Sequence, residues 1–243
     1  MKIRPIFISI LTAATFMTVS CNSHKKSDAE VERENWLYSL NDSISKYQKR
    51  IETADNELKT IHDEIGNMIV NFDHVSNPRL VEGYYIYKGW SSRYPLSKTG
   101  IVARITQDEG FELIAALSGG HFNQISVNAG NENVESSVVA HDQALNYRTS
   151  SLNTVCFYGS AADSIGDLIS RNVSGTVTVT FLNGAKSGTL TVPEDQKEMI
   201  AATWQLFSAQ RHAHHLEGEI PMLSRRIDAC RRMLEANDST LNK

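Results

Sequence analysis

Cysteine, long apolar runs and basic charge are all scarce in this chain, and each scarcity excludes a class of protein. Three cysteines in 243 residues are too few for a disulfide-built scaffold. The 24 lysines and arginines are outnumbered by 28 aspartates and glutamates, and no basic stripe indicates a nucleic-acid partner. The apolar stretch at 6–19 has 14 residues, fewer than the roughly 20 that a membrane-spanning helix needs.

That stretch instead has the form of a secretory signal, because Lys2 and Arg4 precede it and it ends just before Cys21. The tetrapeptide Thr-Val-Ser-Cys at 18–21 resembles the lipobox of bacterial lipoproteins, although leucine is usual where this chain has Thr18. The resemblance covers residues 1–21 only. It implies removal of residues 1–20 and acylation of the Cys21 thiol. The alternative is an ordinary cleaved signal with an incidental cysteine.

The resemblance also implies a location. Acyl chains on Cys21 would anchor the protein in a membrane, with residues 21–28 as a short tether. Asn22 is not the aspartate that retains many lipoproteins at the inner membrane, so we expect the outer membrane, on its periplasmic face, with surface exposure left open. The other two cysteines, Cys156 and Cys230, are expected to be buried free thiols too far apart to form a disulfide.

Two runs of apolar residues in heptad spacing lie at opposite ends of the chain. One extends from Leu37 to Phe72 and the other from Met199 to Leu234, with steps that alternate between three and four residues. Two runs of equal length, separated by about 125 residues of different character, predict the two arms of one antiparallel coiled coil. We therefore predict a stalk formed by residues 29–74 and 194–237.

The flanking charges agree with this orientation. The register that pairs Leu37 with Leu234 places Arg50 opposite Glu219, which are residues of opposite charge. A parallel homodimer through either heptad run is the main alternative, so a monomer is favoured and a homodimer is left open.

Between the two runs, the apolar period changes to the two-residue alternation of β-strands. One short helix interrupts the strands, with Ser160 as its expected cap, and Asn183 with Gly184 predicts a tight hairpin. The fold class is therefore α+β: a long antiparallel two-helix coiled-coil stalk with an inserted small all-β head, barrel or sandwich, at 78–193. The candidate strands are 80–88, 100–107, 111–117, 124–128, 134–140, 145–149, 154–158, 175–182 and 187–192.

The best candidate for a recognition surface is aromatic. Tyr84, Trp90 and Tyr94 fall on the outer face of the first head strand or in the loop after it, and exposed aromatic side chains often mark glycan or protein contacts. The alternative is that these rings cover the open end of a barrel and serve only packing.

Two further residue groups are weaker. His212 and His215 have the i, i+3 spacing of a helical metal site, but a solvated helix face explains them better. His121, His141 and Asp142 lie in the head without any recognised catalytic motif. We therefore assign no catalytic residue, no metal and no cofactor.

The sequence thus favours a non-enzymatic, membrane-anchored lipoprotein of the cell envelope whose stalk presents a β head to a protein or glycan partner. The alternative is a hydrolase or glycan-active enzyme with its site in the head. An enzyme's head should contain a concave pocket with converging polar groups, whereas a head that only binds should be filled.

Overall fold

The computed structural model describes residues 27–76, 83–149 and 151–241. The chain is mixed helix and sheet: a long N-terminal helix, two antiparallel sheets and a long C-terminal helix. Its elements are α1 (Asp28–Ile69), β1 (Phe72–Val75), β2 (Tyr84–Tyr87), β3 (Gly100–Thr106), β4 (Phe111–Ser118), β5 (Gln124–Ala129), β6 (Glu132–Glu135), β7 (Asn146–Arg148), β8 (Leu152–Tyr158), α2 (Ser160–Arg171), β9 (Val177–Asn183), β10 (Ala185–Thr191) and α3 (Glu194–Leu241).

Helix α1 begins where local sequence dictates. Ser27 and Glu30 form a capping box, in which the Ser27 side chain accepts from Glu30 N and the Glu30 carboxylate accepts from Ser27 N. The helix ends at Ile69, so the heptad run overestimates its length. Phe72, the last residue of that run, begins β1 and pairs with Tyr87 of β2. The prediction that the helix extends through 72–74 is therefore wrong.

Helices α1 and α3 pack against each other in opposite directions. Ala54, Ile61, Ala213 and Leu216, all positions of the two heptad runs, form a buried cluster between them. Nearer the chain ends, the Arg226 guanidinium lies 5.9 Å from the ring centroid of Tyr47. Apolar burial along these positions stabilises the pair, because a fully buried leucine or isoleucine side chain contributes about 1.5–3 kcal/mol, and the two alanines contribute less.

The strands form two sheets in which all neighbouring strands are antiparallel. The larger has the order β1-β2-β3-β4-β8-β7, and the smaller has the order β10-β9-β5-β6. The predicted hairpin at Asn183 and Gly184 is confirmed, with Gly184 at φ 71°, a conformation that glycine adopts without strain. Of the strand predicted at 134–140, only residues up to Glu135 lie in a strand.

The main core lies between the two sheets and also includes both α2 and the first part of α3. Phe122 joins the sheets, with its ring centroid 6.4 Å from Phe157 and 4.9 Å from Phe181. Trp204 and Phe207 of α3 pack against Phe111 of β4. The first part of α3 is therefore integral to the core around the sheets.

Helix α2 fits this core closely. Its buried face includes Ile165, Leu168 and Ile169, as its sequence predicts. The predicted cap is wrong, because Gly159 occupies the cap position, Ser160 is the first helical residue, and no side chain caps the helix. A Cβ at Gly166 would lie 2.8 Å from Phe111 and 2.9 Å from Trp204. Only glycine permits this approach of α2 to α3 and β4.

Candidate binding site

Helix α3 begins against an open stretch of the edge of β3. Strand β2 pairs with β3 only through Tyr84 and Tyr85, which leaves the N–H groups of Ile101 and Ala103 without a strand partner on that side. Two side chains of α3 accept these hydrogen bonds: Gln196 Oε1 from Ile101 N at 3.0 Å, and Met199 Sδ from Ala103 N at 3.3 Å. The helix therefore takes the place of a strand along this edge, as the need to satisfy buried backbone donors requires.

A cleft of about 740 Å³ lies between the start of α3 and the loop that joins β2 to β3. We call it the α3 cleft. Its volume falls within the range of small-molecule sites, roughly 300–1,000 Å³. It is lined by Trp90, Ser92, Arg93, Leu96, Ser97, Lys98, Thr99, Pro193, Asp195 and Gln196.

One ion pair holds the loop against the helix. Arg93 Nη1 lies 2.9 Å from Asp195 Oδ2, and the Arg93 guanidinium lies 5.0 Å from the ring centroid of Trp90, within the range of a cation–π contact. Both charged side chains of the pair are more than half exposed, so the pair contributes to orientation more than to stability. The β2–β3 loop, which forms one wall of the cleft, is thus held against α3 by side-chain contacts.

The structure divides the three predicted recognition residues between two places. Trp90 lines the α3 cleft but is only 7% exposed. Tyr84 and Tyr94 are half-buried and contact each other edge to face, with ring centroids 5.5 Å apart. The three aromatic side chains therefore do not form one exposed patch, and only Trp90 belongs to a concave surface.

Tyr84 and Tyr94 enclose a charged group that sequence reasoning missed. The Arg104 guanidinium lies 4.7 Å from the Tyr84 ring centroid and 5.5 Å from that of Tyr94. Its Nε donates to Glu112 Oε2 at 2.5 Å, and its Nη1 donates to Tyr94 Oη at 3.0 Å. Arg104 and Glu112 are direct cross-strand neighbours, so strand register positions the pair.

Burial governs the titration of this cluster. It raises the pKa of Tyr94 to about 12, although the Arg104 charge acts in the opposite direction. It also raises the pKa of the nearby Cys156 thiol to about 12, where the Glu112 charge acts in the same direction. At neutral pH both groups carry their protons, so neither acts as a nucleophile or base. The cluster is suited to packing and orientation.

The histidines on α3 lie on an exposed helix face. His212 and His215 are exposed, and His214 Nδ1 lies 3.1 Å from Glu109 Oε2 in the β3–β4 turn. Among the residues that the structure describes, no three His, Cys, Asp or Glu side chains are arranged to hold a metal ion. Asp142 accepts hydrogen bonds from the N–H groups of Ala144 and Leu145 and so serves a local turn.

The two cysteines within the described part of the chain are free thiols, Cys156 buried and Cys230 half-buried. The expectation of free thiols is met, although Cys230 is less buried than predicted. Cys21 lies outside the described residues, so the lipidation site stays a prediction. No helix within 27–76, 83–149 or 151–241 is both long and apolar enough to cross a membrane.

No family model, no curated protein and no solved structure matches the chain.

No motif or spacing in the sequence predicts the α3 cleft. Lys98 and Gln196 lie far apart in the chain and meet only because α3 returns to the edge of β3. The one local signal was Gly100, where a Cβ would lie 3.1 Å from Gln196 Nε2. Glycine at the start of a strand is equally typical of a bulge or a tight bend, so this residue alone did not indicate a cleft.

Proposed function

We propose that this protein is a non-enzymatic lipoprotein of a bacterial envelope, anchored through Cys21, in which an antiparallel coiled-coil stalk of α1 and α3 presents a ligand-binding head. The head consists of the predicted region 78–193 together with β1 and the first part of α3. The observation that carries the proposal is the α1–α3 contact. Its buried cluster consists of heptad positions from both helices, and Arg50 meets Glu219 within one chain. This favours a monomeric hairpin over a homodimer.

The length of the helices supports a spacer role for the stalk. Helix α1 has 42 residues and is therefore about 60 Å long. The anchor at Cys21 would lie beyond its start, at most about 25 Å of extended chain from Asp28. The sheets lie at its other end, where β1 follows two residues after Ile69. Such an arrangement sets a fixed distance between a membrane and the head, on the outer membrane and its periplasmic face.

The α3 cleft is a concave pocket with polar groups, as the enzyme alternative requires, but the composition of its lining favours binding over catalysis. The head is filled by a continuous apolar core, which supports a sandwich rather than an open barrel. Its concave feature, the α3 cleft, combines hydroxyl, amide and charged groups without a nucleophile activated by a base. A partner with polar groups, protein or glycan, fits such a surface.

Fractionation of cells tests the anchor. The full-length chain should sediment with membranes, and Cys21→Ser should release it, because the helices described have no membrane-spanning segment. Cys230→Ser is the matched control, since it removes a thiol from α3 and should leave the membrane fraction unchanged. Retention of Cys21→Ser in membranes would overturn the lipid anchor.

A further inference from the structure

The part of the stalk farthest from the sheets carries exposed apolar side chains on one side. Trp36 of α1 is 42% exposed, and Met222 and Met233 of α3 are 40% and 51% exposed. Trp36 lies two heptads before Arg50, and Met233 lies two heptads after Glu219. Since Arg50 and Glu219 form an ion pair across the helices, Trp36 and Met233 lie on that same side of the stalk.

Helix α3 has a second apolar stripe on this side, next to the one that faces α1. Met222, Ala229 and Ala236 recur at intervals of seven residues, and Met233 lies between the last two. A helix face that meets only water is polar at such positions, so a second stripe at heptad spacing is typical of a helix with more than one neighbour. We call this surface the lower face; it consists of the stripe on α3 together with Trp36, Ser39 and Ser43 of α1.

The apolar character is confined to the lower stalk, which comprises residues 28–47 of α1 and 222–241 of α3. Nearer the sheets, the residues at heptad spacing from the Arg50–Glu219 pair on the same side are polar: Glu57, Glu64, Gln205 and His212. The lower face is therefore a bounded patch and not a general property of the stalk.

The charged residues beside the lower face are accommodated within one copy. Lys46 Nζ lies 2.8 Å from Asp42 Oδ2, and the Arg226 guanidinium lies 5.9 Å from the ring centroid of Tyr47. Neither cation therefore requires a carboxylate from another molecule, and the patch suits an uncharged apolar partner surface.

The lower face is complementary to itself. Its large side chains, such as Trp36 and Met233, project beside small ones, such as Ser39, Ser43 and Ala229. A two-fold axis parallel to the stalk would place each α1 beside α3 of the second copy, with Trp36 at the height of the second copy's Met233. We propose that two copies associate through the lower face as a four-helix bundle in which all neighbouring helices are antiparallel.

A lipid surface fits the lower face less well than a second copy does. The carboxylates of Asp28, Glu30, Glu32 and Glu34 lie between Trp36 and the start of α1, and carboxylates are costly to insert into a bilayer. The two-fold axis also keeps residues 1–26 of both copies at the same end, as two copies anchored in one membrane require. That orientation rests on the proposed function, whereas the face itself does not.

The size of the lower face sets the strength of the dimer. The lower stalk is about 30 Å long and about 20 Å wide, so contact would bury roughly 600 Å² of each copy and about 1,200 Å² in total, at the lower limit of stable interfaces. Each helix pair stays within its own chain, as the Arg50–Glu219 contact indicates. Substitutions on the lower face should therefore change association and leave the helical content of one copy unchanged.

Sedimentation equilibrium of the purified full-length chain, in a detergent matched in density to the buffer, tests the inference. At about 0.1 mM, the protein mass should be that of two copies. Trp36→Glu should weaken association by about tenfold or more, because the two-fold axis introduces the charge twice in each dimer. Met233→Glu should have the same effect from α3. Both side chains are partly exposed in one copy, so circular dichroism should show unchanged helices.

Tyr38→Glu is the matched control. Tyr38 is 75% exposed and lies about 200° around α1 from Trp36, so this variant should keep the mass of two copies. The inference is wrong if the wild-type chain has the mass of one copy, or if Tyr38→Glu dissociates the dimer as strongly as Trp36→Glu does. A one-copy mass together with release of Cys21→Ser from membranes would reject the dimer alone, whereas retention of Cys21→Ser with a two-copy mass would reject the anchor alone.

Discussion

Arg50 of α1 and Glu219 of α3, 169 positions apart in the chain, form a two-point ion pair across the helices. Arg50 Nε donates to Glu219 Oε1 at 2.8 Å, and Nη2 donates to Glu219 Oε2 at 2.6 Å. This planar geometry is specific to arginine and carboxylate. The pair fixes the register of one helix along the other, in the way that charges beside a heptad seam select orientation.

Exchange of the two charges tests this register. Arg50→Glu and Glu219→Arg should each lower the thermal midpoint, because each places like charges in contact, and the double variant should restore most of the loss. The measurement is a double-mutant cycle of thermal unfolding followed by circular dichroism. Losses that simply add in the double variant would contradict the contact.

The same pair predicts a pH dependence. The hydrogen bonds from Arg50 lower the pKa of Glu219 below its usual value. A carboxylate with a lowered folded-state pKa stabilises the protein above its unfolded pKa, about 4.3, and this contribution disappears as the pH falls through the folded pKa. The difference in stability between the wild-type chain and Glu219→Gln should therefore shrink below about pH 4.

Two glycines in helices should respond oppositely to alanine. Gly166→Ala places a methyl group 2.8 Å from Phe111, and overpacking of about 1–3 kcal/mol should exceed the gain of about 1 kcal/mol in helix propensity. Gly218→Ala in α3 meets nothing within 4 Å and should stabilise the chain by about 0.5–1 kcal/mol. Urea denaturation measures both changes. A stabilised Gly166→Ala variant would show that α2 does not pack as described.

A charge placed in the helix contact tests whether the two helices depend on each other. Leu216 is fully buried, so Leu216→Asp should destabilise the pair by about 3–5 kcal/mol. Met222→Asp, at a position 40% exposed on the same helix, is the matched control and should have little effect. Far-ultraviolet circular dichroism reports the helices.

In the same Leu216→Asp variant with Trp36 replaced by phenylalanine, fluorescence of Trp90 and Trp204 reports the core around the sheets, to which both residues belong. We expect it to stay native-like while helical signal is lost, since the core around the sheets lies beyond the mutated turn. Simultaneous loss of both signals would show that stalk and head unfold as one unit.

Cys156 should be inert at neutral pH. Burial raises its pKa to about 12, so in a Cys21→Ser, Cys230→Ser background no thiol should react with a disulfide reagent at pH 8 until the protein is denatured. A raised folded-state pKa also means that stability is full below the unfolded pKa, about 8.5, and is lost as the pH rises toward about 12.

Cys156→Ala should remove this part of the alkaline loss, which urea denaturation at pH 7.5 and 9.5 can measure. Rapid reaction of Cys156 in the folded protein would contradict the described burial.

Local pattern was enough to predict most of the secondary structure. Strands β3, β4, β5 and β9 lie within two residues of their expected limits, because alternation is a property of each strand alone. Phe72 shows where pattern failed: an apolar residue at heptad spacing also suits the buried face of a strand, and only its pairing with Tyr87 decides between the two.

The candidate site was less predictable for a physical reason. Trp90 was recognised as an aromatic residue in a loop, but its burial depends on how the loop folds over the edge of β3. Lys98 and Gln196 acquire their relationship only through tertiary contact. No residue near Lys98 or Gln196 in the sequence indicates that the two side chains line the same cleft.

Helix α3 runs along the sheet edge at Gln196 and Met199 and continues to Leu241, while only Val70 and Asn71 separate α1 from β1. The α3 cleft is therefore connected to the C-terminal end of α3 by helix alone, and α1 is connected to the sheets by two residues. The backbone hydrogen bonds of α3 form one ladder along this length, except at Pro221, which has no N–H to donate. The direction in which the α3 cleft faces is therefore set by the direction in which α3 runs.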